Sequence, residues 1–395
     1  MTEWKECTIA DLGMVVGGAT PSTKDPENYD GGMIPWITPK DLSNYSDRYI
    51  SRGERNITEK GLNGCSTQLM PRHSVLFTSR APIGYIAIAN NEVCTNQGFK
   101  SVVPNEQTDY LFLYYLLKFN KEKIEGLGSG TTFKEVSGST MRGITVKVPK
   151  SLDVQRAIGR YLDSIDTKIE INRRINENLQ AQARALYKAW FIDYVPFRGS
   201  CPAGWKTGKL KDVLTLKRNA IKAGENTELP YLPIDVIPMN TFALSDVKPN
   251  EEAQSSLITF DKDDIVIGAM RVYFHRVIIA PFAGITRTTC FTLKPSDSDY
   301  LCFGLLCCDQ DSSIEYAQTT SKGSTMPYAV WDGGLGDMDI VIPDKDTAHE
   351  FNEVVMPMIR TIQSSYEEIK HLRDLRDSLL PRLMSGKIDV SELDL

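Results

Sequence analysis

The sequence predicts an α+β fold: two mixed α/β globular domains separated by two long antiparallel coiled-coil helices, arranged as an internal pseudo-twofold repeat. The first observation is a stripe of positions spaced alternately by four and three residues, the spacing of a coiled-coil helix. The second is a similar stripe 193 residues later, in which eight of ten positions are apolar. The third is that short strand-like segments and turns precede each stripe.

The two stripes define the predicted long helices. The first stripe is Ile158, Leu162, Ile165, Ile169, Asn172, Asn176, Leu179, Ala183, Leu186 and Trp190. The second is Phe351, Val355, Met358, Ile362, Ser365, Ile369, Leu372, Arg376, Leu379 and Leu383. A thinly hydrophobic helix of this length is unstable alone, so we expect the two helices to pair. The polar positions 172, 176 and 365 are expected to fix the register of that pair.

The chain then divides into four segments: a first domain over 1–150, a spacer helix over 151–194, a second domain over 195–345 and a C-terminal spacer helix over 346–395. The strands predicted in the first domain are Ile34–Thr38, Ser74–Ser79, Tyr85–Ala89, Phe99–Val103 and Ile144–Val148. An apolar cluster predicts one helix over 110–125. Ser151 is expected to cap the first long helix, which should run over about 152–191.

The second domain is expected to repeat this order. Its predicted strands are Leu229–Pro233, Asp264–Ala269, Val277–Ala280, Ile285–Leu293 and Asp339–Ile342. The last helix should run over about 347–384. Pro357 is expected to kink that helix or delay its start, and Pro381 to break it near its end, because proline lacks the backbone N–H of a helix interior.

The composition is that of an ordinary globular protein, with 41% hydrophobic and 24% charged residues. The charged N-terminus does not resemble a signal peptide and no apolar run reaches membrane-spanning length, so we expect a soluble, cytoplasmic protein. The eight cysteines show no paired Cys-x-x-Cys spacing and the four histidines are scattered. We therefore expect reduced, structural cysteines and no metal site.

The net charge of −6 argues weakly against nucleic-acid binding, but it is unevenly distributed. Residues 1–198 carry a small net positive charge, whereas residues 199–395 are acidic. Binding to DNA would therefore need local basic patches, or a basic partner that supplies part of the phosphate contact.

No combination of residues predicts catalysis. Gly126–Gly130 resembles a phosphate-binding loop, but it follows a helix and lacks the Lys-Ser/Thr of a P-loop. His349 has no second histidine at metalloprotease spacing, and the chain lacks the Asn-Pro-Pro-aromatic type of run that holds a flipped base. The sequence therefore favours a binding protein rather than an enzyme.

Polar, aromatic and basic residues on loops after strand-like segments are the candidate DNA contacts, since such side chains bind phosphates and base edges. In the first domain they are Thr20, Ser22, Lys24, Trp36, Thr38, Lys40, Ser79, Arg80, Asn96, Gln97, Lys100, Thr131, Thr132 and Lys134. In the second they are Lys217, Arg218, Arg271, Tyr273, His275, Arg276, Arg287, Thr288, Lys322, Ser324 and Thr325.

Several runs resemble the DNA specificity subunits of type I restriction–modification systems. Val-Leu-Phe-Thr-Ser-Arg-Ala-Pro-Ile-Gly-Tyr over 75–85 and Cys-Thr-Asn-Gln-Gly-Phe over 94–99 are similar to their target-recognition domains, as are 17–23 and 34–42. The helical runs 163–177, 185–193 and 379–389 are similar to their central and C-terminal helices. The second domain departs from the pattern, keeping only Arg271 of the Ser-Arg-Ala-Pro run and showing Thr-Thr-Cys-Phe over 288–291.

The resemblance implies a non-catalytic subunit whose two domains each read one half of a bipartite asymmetric target. It also implies that the paired helices set the spacer between half-sites and dock two methyltransferase subunits, which bind S-adenosylmethionine, and that restriction subunits join the complex. No cofactor is expected on this chain itself.

One alternative remains open at the level of the sequence, and a second does not. A protein-interaction scaffold with peptide-binding loops is favoured by the net acidity, and would select no duplex sequence. A fused methyltransferase–specificity enzyme would need cofactor-binding and catalytic motifs, which the sequence lacks.

Overall fold

The structure, a computed structural model, describes residues 3–43, 45–130, 134–226, 228–244, 246–254, 256–388 and 390. The chain forms two compact units, one of Met1–Glu170 with Leu372–Leu395 and one of Ile171–His371. Each unit therefore contains one α/β domain together with part of each long helix.

The first unit contains a mixed α/β domain of short elements. Its strands are β1 (Trp4–Thr8), β2 (Gly13–Gly17), β3 (Ile34–Ile37), β4 (Tyr49–Ile50), β5 (Arg55–Ile57), β6 (Val75–Ser79), β7 (Ile83–Ala89), β8 (Cys94–Thr95), β9 (Lys100–Pro104) and β10 (Thr145–Pro149). Its helices are α1 (Ile9–Leu12), α2 (Glu59–Asn63), α3 (Tyr110–Phe119), α4 (Lys121–Gly126) and α5 (Gly138–Gly143).

Two sheets and a ribbon organise this domain. The larger sheet has the order β2-β9-β6-β7-β4, and only its β4–β7 pair is parallel. The smaller sheet has the order β5-β3-β8, while β1 and β10 pair antiparallel as a separate ribbon. All residues of β6 are buried, as a continuous Val-Leu-Phe run at the centre of a sheet requires.

The first long helix, α6 (Leu152–Tyr187), has 36 residues and continues into a π-helical turn at Lys188–Ile192. The Ser151 hydroxyl accepts a long hydrogen bond of 3.5 Å from the Val154 amide, and Asp153 lies in the first turn. An acidic residue at this end is favourable because the helix dipole is positive there.

The second unit has the same kinds of elements. Its strands are β11 (Lys206–Lys209), β12 (Leu214–Leu216), β13 (Ala220–Ile221), β14 (Leu257–Phe260), β15 (Ile265–Gly268), β16 (Val277–Ile279), β17 (Gly284–Arg287), β18 (Cys290–Pro295) and β19 (Asp339–Ile342). Its short helices are α7 (Leu210–Val213), α8 (Leu301–Cys308) and α9 (Asp311–Thr319). The order β12-β18-β15-β16 repeats β2-β9-β6-β7, and the β11–β19 ribbon repeats β1–β10.

The second long helix, α10 (Lys345–Met384), has 40 residues. In the second unit α6 and α10 run antiparallel, since Asn172 contacts Glu368 near one end of the pair while Phe191 contacts Phe351 near the other. The predicted fold class is therefore confirmed: two mixed α/β domains, an internal repeat and two long antiparallel helices.

Four predictions about individual elements were wrong. The helix predicted over 110–125 is two helices, because Asn120 leaves helical geometry and its side-chain amide donates to the Leu116 carbonyl at 2.8 Å. The strand predicted over 285–293 is divided into β17 and β18. The strand predicted at Leu229–Pro233 is reduced to single bridges from Tyr231 to Lys248 and Ile285.

The fourth error concerns the prolines of the last helix. The α10 helix runs through both Pro357 and Pro381 without interruption. A proline inside a helix costs about 3 kcal/mol. The surrounding apolar face offsets this cost, since Val355, Ile359 and Ile362 are almost fully buried.

All eight cysteines are free, and five of them are buried. Burial raises the pKa of the Cys307 thiol to about 11, which keeps it protonated and unreactive at neutral pH. Among the described residues, no helix combines the length and apolarity needed to cross a bilayer.

Candidate nucleic-acid interface

In the first unit, the predicted loops meet at one place. The Ala19 amide donates to the Thr95 carbonyl at 3.0 Å, the Asn96 amide to the Ile37 carbonyl at 3.0 Å, and the Ser79 amide to the Gly98 carbonyl at 2.7 Å. A further loop, 129–135, is closed by reciprocal backbone hydrogen bonds between Ser129 and Glu135. We call residues 17–24, 36–41, 79–82, 95–100, 129–130 and 134–135 loop cluster 1.

Exposed polar side chains cover loop cluster 1. Thr20, Ser22, Lys24, Lys40, Gln97 and Lys134 are exposed. The Thr20 hydroxyl donates to Gln97 Oε1 at 2.5 Å. Arg80 and Lys100 each lie 3.5 Å from the carboxylate of Glu135. Because these two cations share one carboxylate at long distance, a polyanion could displace it at little cost. Thr131 and Thr132 lie outside the described residues.

Other predicted contacts of the first unit support the loops from within, which corrects the sequence-based assignment. Ser79 is fully buried, and its hydroxyl bonds to Gly98 O at 3.2 Å. Trp36 is buried and donates from Nε1 to the Ala19 carbonyl at 3.0 Å. The Thr38 hydroxyl donates to Asp41 and Asn96 Oδ1 accepts from the Gly98 amide, so both side chains are already engaged in shaping the loops.

The second unit builds an equivalent loop cluster 2 from residues 269–276, 287–289 and 322–328. Reciprocal backbone hydrogen bonds of 2.9 Å join Lys322 and Tyr328, which follow Ser129 and Glu135 by 193 residues. The Arg271 amide donates to the Pro327 carbonyl at 2.8 Å, and the Ala269 amide to the Thr289 carbonyl at 2.8 Å. The loop architecture is therefore repeated, whereas the side chains on it differ.

Loop cluster 2 presents cations and aromatic rings. Its exposed predicted residues are Arg271, Tyr273, Arg287, Thr288, Lys322, Ser324 and Thr325. Met326 and Tyr328, which the sequence did not single out, are about half exposed at 52% and 47%. A surface of this kind offers both charge and apolar area to a ligand.

Four predicted contact residues of the second unit already have partners. His275 is buried, and its Nε2 lies 3.0 Å from Asp309, which also binds Arg184 of α6. Arg276 donates to backbone carbonyls, including Ile234 O at 2.7 Å. Lys217 is mostly buried between Asp261 and Asp264, and Arg218, although exposed, forms an ion pair with Asp332. His275 and Lys217 are therefore structural, which corrects their assignment as surface contacts.

The helix stripe lies within the units. Its predicted members Ile158, Leu162, Ile165, Ile169, Asn172, Phe351, Val355, Ile362, Ile369, Leu379 and Leu383 are buried, and Leu179, Leu186, Trp190, Met358 and Leu372 are half-buried. Asn172 donates from Nδ2 to Glu368 Oε2 at 2.8 Å, so a polar position of the stripe does join the two helices within the second unit.

Sequence reasoning missed Arg48, Arg55 and Lys248. Arg48 is buried against α6, Arg55 lies directly opposite Trp36 on the neighbouring strand, and Lys248 forms an isolated bridge with Tyr231. A detectable signal for Arg55 was the run Ser-Arg-Gly-Glu-Arg over 51–55, whose two arginines flank a glycine. Nothing in the sequence marked Arg48, because its partners lie more than 100 residues away.

Comparisons with known proteins agree with this architecture. A family model described as the type I restriction modification DNA specificity domain matches residues 1–181. The MjaIX type I restriction enzyme specificity subunit of Methanocaldococcus jannaschii is 35% identical, covering 99% of this chain and 95% of that protein. The HindI specificity subunit of Haemophilus influenzae is 22% identical, covering 98% of this chain and 100% of that protein.

A solved structure shows the same fold. The crystal structure of a type I restriction-modification S subunit from M. genitalium has a TM-score of 0.64 at 15% identity, covering 97% of this chain and 96% of that one. Since a relative more than 30% identical spans nearly the whole sequence, this chain belongs to the family of type I restriction–modification DNA specificity subunits.

Proposed function

We propose that this specificity subunit uses its two loop clusters to read the two halves of one bipartite, asymmetric DNA target. The observation that supports the proposal is the pair of loops closed by equivalent backbone hydrogen bonds, Ser129 with Glu135 and Lys322 with Tyr328, whose described residues expose different side chains. The same loop framework with different side chains suits recognition of two unlike sequences by similar domains.

Membership of the family favours this function over a peptide-binding scaffold and over a fused methyltransferase. The chain selects the DNA sequence, and catalysis belongs to partner subunits. We further propose that two methyltransferase subunits, carrying S-adenosylmethionine, dock on the long helices and that restriction subunits join them in the cytoplasm. A basic partner would supply phosphate contacts that a chain of net charge −6 lacks.

The long helices are proposed to fix the number of unread base pairs between the half-sites. The 36 residues of α6 span about 54 Å at 1.5 Å per residue. At about 3.4 Å per base pair this length corresponds to at most roughly 16 base pairs. The unread gap should be shorter, because each half-site also takes up some of that length.

The test is selection of duplexes by the complete complex with its methyltransferase subunits. We expect one bipartite sequence with a fixed gap, bound with a steep dependence on salt, and loss of recognition when one base pair is added to or removed from the gap. Selection of one contiguous sequence, or equal binding at every gap length, would contradict the proposal.

A further inference from the structure

Arg55 lies at the edge of loop cluster 1, on a surface that the sequence did not identify. It begins β5 and is directly opposite Trp36 of β3. The preceding Glu54 amide donates to Asp41 Oδ1 at 2.7 Å, which joins this segment to loop 36–41. A Cβ at Gly53 would lie 2.8 Å from the Trp36 carbonyl, so the close approach of the two segments requires glycine. Arg55 is therefore continuous with the proposed DNA-reading surface.

The guanidinium of Arg55 lies over the face of an aromatic ring. Its Cζ lies 3.5 Å from the ring centroid of Tyr29. Tyr29 is itself fixed, because it is 95% buried, packs edge-on against Trp36 and donates its hydroxyl to the Pro21 carbonyl at 2.7 Å. Stacking on a fixed ring restricts the plane of the guanidinium while leaving its N–H edge available.

That N–H edge has no partner among the residues that the structure describes: no carboxylate lies within 4.0 Å of Arg55, and it makes no side-chain hydrogen bond. The side chain is exposed and lines two clefts of about 400 Å³ and about 370 Å³. The neighbouring cation Lys40, in contrast, is paired with Glu54 at 2.7 Å. Arg55 is thus a restrained cation with unused donors facing open space.

The repeat places a different cation at the same position of the second unit. Lys248 follows Arg55 by 193 residues and is bridged to Tyr231, as Arg55 is to Trp36. Its ammonium lies 3.5 Å from Asp235 and 3.4 Å from Glu252. These carboxylates raise the pKa of Lys248, so that it stays protonated, and they balance its positive charge. Lysine also lacks the planar fork with which arginine binds a base edge.

We infer that Arg55 reads a guanine of the first half-site through O6 and N7, whereas Lys248 reads no base at the equivalent position of the second. This inference rests on the proposed function and names one specificity residue within it. Guanine is the base that presents two acceptors to a guanidinium fork in the major groove, and a fork whose plane is already fixed loses little freedom on binding.

The test compares Arg55→Lys, Arg55→Ala and Lys248→Ala in the assembled complex with its methyltransferase subunits. Binding is measured to duplexes that carry every single base-pair substitution of the selected target. For the wild type we expect at least about tenfold discrimination at one G·C pair of the first half-site, which is the usual range for a bidentate contact. Arg55→Lys should lose discrimination at that base pair and at no other. It should keep the salt dependence of binding, because it keeps the charge. Lys248→Ala should leave discrimination in the second half-site unchanged.

Two results would overturn the inference. Arg55→Lys could keep the full discrimination profile while Arg55→Ala weakens binding to all sequences equally and reduces the salt dependence; Arg55 would then contact a phosphate. Lys248→Ala could remove discrimination at one pair of the second half-site. Failure of the proposed function is distinguishable, since the wild-type complex would then select no bipartite sequence. Unchanged melting and unchanged assembly of the variants with the methyltransferase subunits serve as the folding control.

Discussion

At the scale of single residues, Arg48 joins the first domain to the first long helix. Its side chain is 6% exposed and donates to Glu170 at 2.8 and 3.0 Å and to Thr167 at 2.7 Å, with Asp163 as a further partner. The Arg48 amide also donates to Glu170 at 2.9 Å. One residue thus holds the loop before β4 against three successive turns of α6.

Replacing Arg48 by alanine should destabilise the first unit strongly. Removing one member of a buried ion pair costs about 3–5 kcal/mol, because the remaining charges stay buried without a partner. Chemical denaturation of Arg48→Ala against wild type measures this change. The control is Lys40→Ala, which removes an exposed ion pair with Glu54 and should not change stability measurably. Similar losses for both variants would contradict this role of Arg48.

Residue type alone predicted the exposed members of the loop clusters better than the buried ones. Lys134, Arg287 and Lys322 are exposed, as long charged side chains on loops usually are. Ser79, Trp36 and His275 are buried, because each side chain finds a partner on another segment: Gly98, Ala19 and Asp309. Such tertiary partners are not visible in a local pattern of residues.

At the scale of elements, the two units fill equivalent positions of their cores with different kinds of residue. In the first unit Asp166 of α6 accepts from the Tyr115 hydroxyl of α3 at 2.8 Å and from Arg376 of α10 at 2.7 Å. The positions related to these three residues by the 193-residue offset are Ile359, Cys308 and Ala183. All three are fully buried and belong to one apolar cluster in the second unit. The buried charges of the first unit are therefore not required by the fold.

The triple variant Tyr115→Phe/Asp166→Ile/Arg376→Ala should be more stable than Asp166→Ala. The single variant leaves Arg376 with Asp377 as its remaining carboxylate and takes from Lys118 the carboxylate 3.8 Å away, and it should lose up to about 3–5 kcal/mol. The triple variant also removes Arg376 and the Tyr115 hydroxyl, so that of these charges only Lys118 remains, whose side chain is 28% exposed. Buried ion pairs are often replaced by apolar residues with little or no loss. Thermal and chemical unfolding of both variants measure the difference. A triple variant less stable than the single one would show that the charges are needed for packing.

Because of the Asp166 carboxylate, the stability of the protein should depend on pH. Burial acts to raise the pKa of Asp166, but the charges of Lys118 and Arg376 outweigh it, so the pKa lies below its ordinary value. A lowered pKa in the folded state stabilises at neutral pH, and this contribution is lost as pH falls below about 4. Wild type should therefore lose more stability than Asp166→Asn between neutral pH and pH 3. Parallel curves of unfolding free energy against pH would contradict this assignment.

Elements with many periodic positions were predicted well and short ones were not. The stripes predicted α6 and α10 because each pattern rests on ten regularly spaced positions. A single helix-breaking residue such as Pro357 does not outweigh such a pattern. Strands of two or three residues, such as β4 and β8, carry no period of their own and exist through pairing with distant segments. The bridge at Tyr231 shows the same dependence, since its partners Lys248 and Ile285 lie on other segments.

At the scale of the whole molecule, the two units share one arrangement of strands and loops but expose different side chains on it. Loop cluster 1 has a stacked Arg55 nearby and Arg80 and Lys100 sharing one carboxylate. Loop cluster 2 has Arg271 and Arg287 with exposed Tyr273 and Tyr328. The sequence predicted the duplication and the loops, but the bases that each cluster contacts depend on loop conformations that only tertiary contacts determine.

The most direct test of the account is single-base mapping of methylated positions in DNA from cells that express the complete system. It should be done with wild type, with Arg80→Ala/Lys100→Ala in loop cluster 1, and with Arg271→Ala/Arg287→Ala in loop cluster 2. We expect one bipartite wild-type sequence with a fixed gap, altered only in one half by the first variant and only in the other half by the second. A contiguous wild-type sequence, or one variant that alters both halves, would contradict the central claim that each domain reads its own half-site.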